Sequence, residues 1–394
     1  MHALRFLLFF IPLTAPALEL PLSQIAARVK SHHPQLRAAR MAVEQARGRQ
    51  LGSGRLANPT LDTSFQNESA VSPRTASVGI DQAFPLTRRL TLEKQLSAQL
   101  VTAAEFEVQD ASRRLIADAR TLAVRIMALD QQSALRQQQV RLAGELSSFA
   151  KSRAEKGELS PLDAAQAQVD AQRLLLEAKR LQTERISLLG QLKPMLGVAP
   201  ADPLSLTGSL PALVIPDRRG WMRRPDYQQA QAQITAAQTD TALAHAKRTP
   251  DLTAGLFTAQ EKQQGVNTGH VGIRFSIPLP FWNKNEGEIA EKAAAAERYR
   301  LEAEALGKQI AGEADTARRE MQAQAELVRE TRDTLLPLVI EQTQKLEKAY
   351  QSGQTDLITL LRVREQRLQL ESAALDAARD FHLARIRYEA ATSL

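Results

Sequence analysis

The sequence predicts a mainly α-helical protein with a small β part, built as two internal repeats. Three observations lead there. The order of elements recurs after about 190 residues. Heptad-spaced apolar residues run through very long segments, the first of which, between Pro85 and Pro161, lacks proline. Four short segments alternate strictly between apolar and polar or small residues. A repeat this long exceeds the roughly 20–50 residues of a solenoid unit, so it reads as a duplication that produces two pseudo-symmetric halves.

The repeat can be followed motif by motif. Pro34 is echoed by Pro225, and Asn58-Pro59-Thr60-Leu61 by Thr249-Pro250-Asp251-Leu252. Val78-Gly79-Ile80 returns as Val271-Gly272-Ile273, Pro85 as Pro278, and Gly157 as Gly353. The boundaries that follow are residues 18–210 for the first repeat and 211–394 for the second. Composition agrees with helices: only 4% of residues are aromatic, and no cysteine is present for a disulfide framework or thiolate metal site. The formal charge of +7 does not point to nucleic acid, because basic residues are interleaved with acidic ones along the helices.

Residues 1–17 read as a secretory signal peptide. Arg5 precedes the apolar run Phe6–Ile11, and Ala15-Pro16-Ala17 offers small residues for cleavage after Ala17. That run is too short to span a bilayer as a helix, and no other stretch approaches the ~18 apolar residues required. The chain is therefore expected outside the cytoplasm, as a periplasmic, secreted or outer-membrane protein.

The long helices are expected over residues 86–156 and 160–196, and again over 285–351 and 356–391. Between Pro85 and Pro161 only Gly144 and Gly157 could interrupt a helix. Val101, Val108, Leu115, Leu122 and Leu129 recur every seven residues, with Ser112, Ala119 and Ile126 at the second seam position. Ala167, Leu174, Leu181, Leu188 and Met195 form the matching seam of the next helix. A helix from Leu86 to Lys156 would be roughly 105 Å long. These segments alone fit a structural coiled coil.

The strands are expected at about 59–69, 75–84, 250–261 and 268–278. Val78, Ile80 and Phe84 fall on one face, with Ser77, Gly79, Asp81 and Ala83 on the other. Val271, Ile273, Phe275 and Ile277 alternate with His270, Gly272, Arg274 and Ser276. Period two means strand, and each segment has the length of a tilted membrane strand. Four strands cannot close a channel-sized barrel, and open edges are not tolerated in hydrocarbon. Several chains would therefore share one barrel. The alternative is a soluble protein whose hairpins cap the helices.

The residues that carry a family resemblance are now in view: "HPQLRAARMAVEQARG", "NPTLDTSFQNE", "VGIDQAFPLTRR", "VGIRFSIPLPFWNKNEGEI", and the turns "AEKGELSPLDAAQAQ" and "AYQSGQTDLITLLRVREQ". With "LLPLV" at Leu335–Val339, this succession resembles the TolC-like outer-membrane efflux channels over essentially the whole mature chain. Asn58-Pro59 and Ile277-Pro278-Leu279-Pro280 look like the branch that serves heavy-metal resistance pumps of the cobalt–zinc–cadmium type. The resemblance implies a homotrimer in outer-membrane lipid. Each chain would give four strands to a twelve-stranded β-barrel, with the helices continuing as a periplasmic α-barrel. It also implies a periplasmic adaptor and an inner-membrane pump of the resistance–nodulation–division type. Drug efflux and type I protein secretion use the same architecture and stay open as alternatives.

Sites follow from this frame. Gly157 and Gly353 would reverse the chain at the periplasmic tips, which close at rest. Asp163 and Asp356 follow those turns and in three copies could form acidic rings, although an Asp in a first helical turn is also a common cap. Where the family often places acidic residues after the second glycine, this chain has Thr359 and Arg362. Asp81 and Arg274 would face the lumen by alternation. Pro85 and Pro278 would end the strands that hand the chain from sheet to helix. No catalytic constellation, cofactor motif or metal site is legible. The adjacent pair His32-His33 would point about 100° apart on a helix, which makes a poor chelate and fits surface residues at a helix end. The chain reads as a passive duct, not an enzyme, with energy supplied by a partner.

Overall fold

The computed structural model describes residues 18–67, 74–217, 220–263 and 266–392. The signal peptide at residues 1–17 and most of the first inter-strand loop lie outside the described residues, as do 264–265 in the second. In order the elements are β1 (Leu18–Pro21), α1 (Ile25–His32), α2 (Pro34–Gly52), β2 (Thr60–Asn67), β3 (Arg74–Phe84), α3 (Arg89–Glu155), α4 (Pro161–Met195) and β4 (Leu204–Thr207). There follow α5 (Pro225–Ala246), β5 (Leu252–Gln263), β6 (Val266–Ser276), α6 (Glu286–Arg329), α7 (Leu336–Gln351) and α8 (Leu357–Thr392). The protein is thus mainly α with a small antiparallel sheet.

Two compact units emerge, and both draw on each sequence repeat. One takes the described parts of 18–37, 111–221 and 310–392; the other takes 38–110 and 222–309. In the first unit the heptad seams are buried. Ala119, Ile126 and Leu129 of α3 join Leu188, Leu189 and Leu192 of α4, with Leu115, Leu122 and Leu181 packed at the margin. Ile25 and Val29 of α1 complete this core, and Leu20 of β1 and Leu204 of β4 enter it through a short parallel pair. That pair has no counterpart in the expected strands, because four residues are too few for alternation to register. A second core holds Met321, Phe381, Ala384 and Tyr388. The Tyr388 hydroxyl donates to Asp217 O at 3.0 Å and Arg318 donates to Pro216 O at 3.0 Å, which fastens the connecting segment.

Several boundaries differ from expectation for clear reasons. The first long helix starts at Arg89 instead of 86, because residues 86–88 bend between Pro85 and the helix. Residues 285–351 are not one α-helix. A π-helical turn, Glu330–Leu335, divides α6 from α7, and the Leu336 N–H donates to Thr331 O. Pro337 lies just beyond it and cannot donate to the carbonyl four residues earlier, so the widened turn accommodates the defect.

The second unit carries the four-stranded antiparallel sheet, ordered β2-β3-β5-β6. Its register aligns Leu61, Ile80, Leu256 and Ile273 across all four strands, and Thr63, Val78, Thr258 and Val271 one step further along. This face is exposed, with Phe65 and Val271 each 81% accessible. Below the sheet, Thr87 donates to Ala246 O at 3.3 Å and Arg89 pairs with Asp251 at 3.0 Å.

Candidate duct wall and helical turns

The two turns obey one local rule. At the first, Gly157 has φ +75°, its N–H reaches Ala154 O at 3.0 Å, and the Glu158 N–H reaches Arg153 O at 2.9 Å. At the second, Gly353 has φ +73°, its N–H reaches Tyr350 O at 3.0 Å, and the Gln354 N–H reaches Ala349 O at 2.8 Å. Both are left-handed helix C-caps, a conformation glycine adopts without a Cβ penalty. The next helix then starts on a side-chain cap. The Ser160 hydroxyl accepts from the Leu162 N–H at 3.2 Å ahead of Pro161, and Asp356 Oδ1 accepts from the Thr359 N–H at 2.6 Å. Asp356 is therefore engaged as a helix cap, and Thr359 supplies the backbone donor that it satisfies.

The turns are tied to each other inside the first unit. Ala150 and Ala167 form a small buried cluster with Leu159, Tyr350 and Leu361 packed against it. The Phe149 and Tyr350 rings meet edge to face at 6.3 Å, and the Arg153 guanidinium lies 5.2 Å from the Phe149 centroid. Burial pushes the Tyr350 phenol up. Arg173 of α4 pairs with Glu365 of α8 at 3.0 Å, and Arg364 of α8 pairs with Glu347 of α7 at 2.7 Å. Both pairs line a cavity of about 700 Å³, together with Leu142, Leu174, Leu368, Gln139, Asp163 and Arg362. The structure thus brings Asp163 and Arg362 to one cavity, while Gly157, Gly353, Asp356 and Thr359 do not line it.

In the second unit Asp81 and Arg274 share the polar face of the sheet and form an ion pair, Arg274 Nη2 to Asp81 Oδ2 at 2.6 Å. They belong to β3 and β6, which are separated by β5. The register places Gly255 between them, and a Cβ there would lie 1.8 Å from Asp81 Oδ1. The missing side chain is what allows the carboxylate and guanidinium to meet over the middle strand. Asp62 of β2 lies 3.6 Å from the same guanidinium. In the adjacent row Phe257 sits between Gly79 and Gly272, and a Cβ on Gly272 would come 2.5 Å from the Phe257 ring. Sequence alternation located Asp81 and Arg274. It could not reveal Asp62, Gly255 or Phe257 as their neighbours, because that depends on strand order and register.

The prolines have unequal roles. Pro85 directly follows β3 and precedes α3 by a short link. Pro278 lies two residues past the end of β6, and residues 277–285 intervene before α6. Within that link Trp282 is 95% accessible and Phe281 meets it edge to face at 6.1 Å. Asn285, at φ +65°, closes it by donating to Ala244 O at 3.0 Å and Glu288 Oε2 at 2.8 Å.

The histidine pair does not converge. His32 is exposed and its Nδ1 lies 2.6 Å from Ser31 Oγ. His33 is buried, contrary to the surface position expected, and its Nδ1 accepts from the Gln35 N–H at 3.2 Å where α1 gives way to α2. Burial lowers its pKa. Among the described residues no group of three potential metal ligands clusters, and no helix is long and apolar enough to cross a membrane.

No family model and no curated protein matches the chain by sequence. Comparison of structures does find relatives. The channel protein CusC aligns with a TM-score of 0.80 and 14% identity, covering 94% of this chain and 91% of its own. The outer-membrane channel OprN aligns at 0.78 and 18% identity, covering 94% and 89%. The Campylobacter jejuni outer-membrane channel CmeC aligns at 0.78 and 13% identity, covering 94% and 85%. The chain has the fold of these outer-membrane channel structures.

Proposed function

We propose that this chain is a TolC-like efflux channel, the outer-membrane duct of a tripartite export system, and that it works as a homotrimer. The observation that carries this reading is the four-stranded sheet of the second unit. One face is apolar and exposed, the other is polar, and β2 and β6 are its outer strands. An amphipathic sheet with two open edges is stable in lipid only when those edges are paired. Three copies joining β2 of one to β6 of the next would close a twelve-stranded barrel. Lipid would then meet Leu61, Val78, Ile80, Leu256, Val271 and Ile273, and water would meet Asp81 and Arg274.

The paired helices would form the periplasmic part. Their turns at Gly157 and Gly353, with Asp163, Asp356, Thr359 and Arg362 close behind, would be the end that a periplasmic adaptor opens. Transport is passive, and an inner-membrane pump of the resistance–nodulation–division type supplies the energy. Heavy-metal cations are the proposed cargo, supported by the resemblance of Asn58-Pro59 and Ile277–Pro280 to the metal-resistance branch. Residues 1–17 would direct export, and the duplicated halves at 18–210 and 211–394 would each contribute one hairpin and one helix pair.

The test is physical before it is genetic. The full chain expressed in a Gram-negative host should stay with the outer membrane through an alkaline wash. It should run as a heat-modifiable trimer that requires detergent. A monomer soluble in buffer would overturn the proposal. A deletion strain challenged with metal salts and drugs separates the cargo. Sensitivity to drugs but to no metal would remove the metal assignment and leave the duct.

A further inference from the structure

The polar face of the sheet carries a charge arrangement beyond a simple alternation. Its titratable side chains among the described residues are Asp62, Asp81, Glu261, His270 and Arg274. Apart from His270, three carboxylates share this face with one guanidinium. Arg274 is committed to Asp81, at 2.6 Å through Nη2 and Oδ2, and is 3.6 Å from Asp62. The Asp62 contact is too long for a hydrogen bond, and its side chain is 49% accessible against 15% for Asp81. Asp81 therefore holds the guanidinium, while Asp62, in a longer ion pair with it, keeps about half of its side chain exposed. Asp81 Oδ1 is buried over Gly255 and has no hydrogen-bond partner among the described residues.

The backbone makes this arrangement stiff. Gly255 lets Asp81 and Arg274 meet across β5. Gly79 and Gly272 seat the Phe257 ring, while the Arg274 guanidinium lies 5.9 Å from that ring's centroid. The His270 ring meets Phe257 edge to face at 6.3 Å. Arg274 is thus held by a carboxylate and an aromatic face at once, which limits its freedom to swing into open space.

We propose that Asp62, with Arg274 held by Asp81 and Phe257, is the charge-selecting element of the duct and favours cations over anions inside the sheet. This rests on the polar face being the wall of the duct. Three subunits would present three partly exposed Asp62 carboxylates at one level, and a ring of acidic side chains raises the local cation concentration. Arg274 sets the strength of that ring by neutralising Asp81.

Purified trimer reconstituted in planar lipid bilayers under a potassium chloride gradient reports the permeability ratio directly. D62N should lower cation-over-anion permeability by roughly threefold, the scale that one screened charge per subunit supplies. R274Q should raise it, because two carboxylates are then uncompensated. R274K, which keeps the charge, should leave the ratio within error of the wild type. If D62N and R274Q both leave the ratio unchanged while conductance persists, the cluster is only a cross-strand tie and the inference falls. A wild-type chain that purifies as a monomer soluble in buffer would instead sink the duct reading itself. Because R274Q removes an ion pair and could impair assembly, D62N carries the decision alone if that variant yields no trimer.

Discussion

Gly157 and Gly353 hold φ near +75° with open space where a Cβ would sit, so a substitution there is opposed by backbone conformation alone. Either glycine replaced by alanine should cost about 1–2 kcal/mol, seen as a lower unfolding midpoint in detergent, and asparagine should be tolerated better. His382 predicts a response to acid. His382 is buried beside Phe381, its pKa lowered to about 4 by burial and then by the Arg385 guanidinium. A histidine whose folded pKa lies below its unfolded value near 6.5 binds its proton more readily when unfolded. Stability should therefore be fully present above pH 6.5 and decline as pH falls from there toward 4. Thermal unfolding of wild type against H382Q at pH 7.5 and pH 5 checks this. The variant should lose less of its midpoint on acidification, and equal losses would remove His382 as the cause.

Among the elements, the sheet and the helix interrupted between α6 and α7 make distinct demands. The cradle of Gly79 and Gly272 around Phe257 predicts that G272A disturbs the sheet, because the new Cβ would meet the ring at 2.5 Å. The double variant F257A/G272A should recover much of the thermal stability that G272A loses. If it does not, steric conflict with Phe257 is not the reason for the glycine. The π-helical turn Glu330–Leu335 depends on Pro337, whose missing N–H leaves the i→i−4 ladder incomplete. P337A restores that donor, so amide exchange over residues 330–337 should slow if the turn reverts to α-helix. Both predictions concern features that period counting left unseen. A glycine pattern read along one strand does not reveal which side chain on the next strand fills the gap. A proline within a heptad run marks a break without specifying its kind.

At the scale of the molecule, the seams and alternations had different reach. Leu188 and Leu192 are buried where the heptads place them, and the exposed apolar face of the sheet follows the period-two reading of Val78, Ile80, Val271 and Ile273. Asp163 and Asp356 could have been rings or caps. Geometry assigns Asp356 a capping bond to the Thr359 N–H and puts Asp163 beside a cavity shared with Arg362. Assembly is the property with the largest consequence. Labelling of cysteines introduced singly at Val78, Val271 and Ile273 should be blocked by lipid in membranes, whereas a cysteine at Asp62 should react with a water-soluble reagent applied from the aqueous side. Reactivity at all four positions in intact membranes would argue against a lipid-facing sheet.

The sequence alone determined the class and order of the long helices and of the four strands of the antiparallel sheet. Periodicity is written in the spacing of apolar residues, and a helix or strand buries one face in the same way wherever it is placed. Glycine at a left-handed cap and proline at a strand end are likewise local requirements, legible at Gly157, Gly353 and Pro85. Only the tertiary structure decided which residues meet: Asp81 with Arg274 over Gly255, Phe257 between two glycines, β1 beside β4, and Tyr388 against Asp217. Those contacts join positions far apart in the chain. Their energy comes from packing and charge geometry that exist only once register and strand order are set.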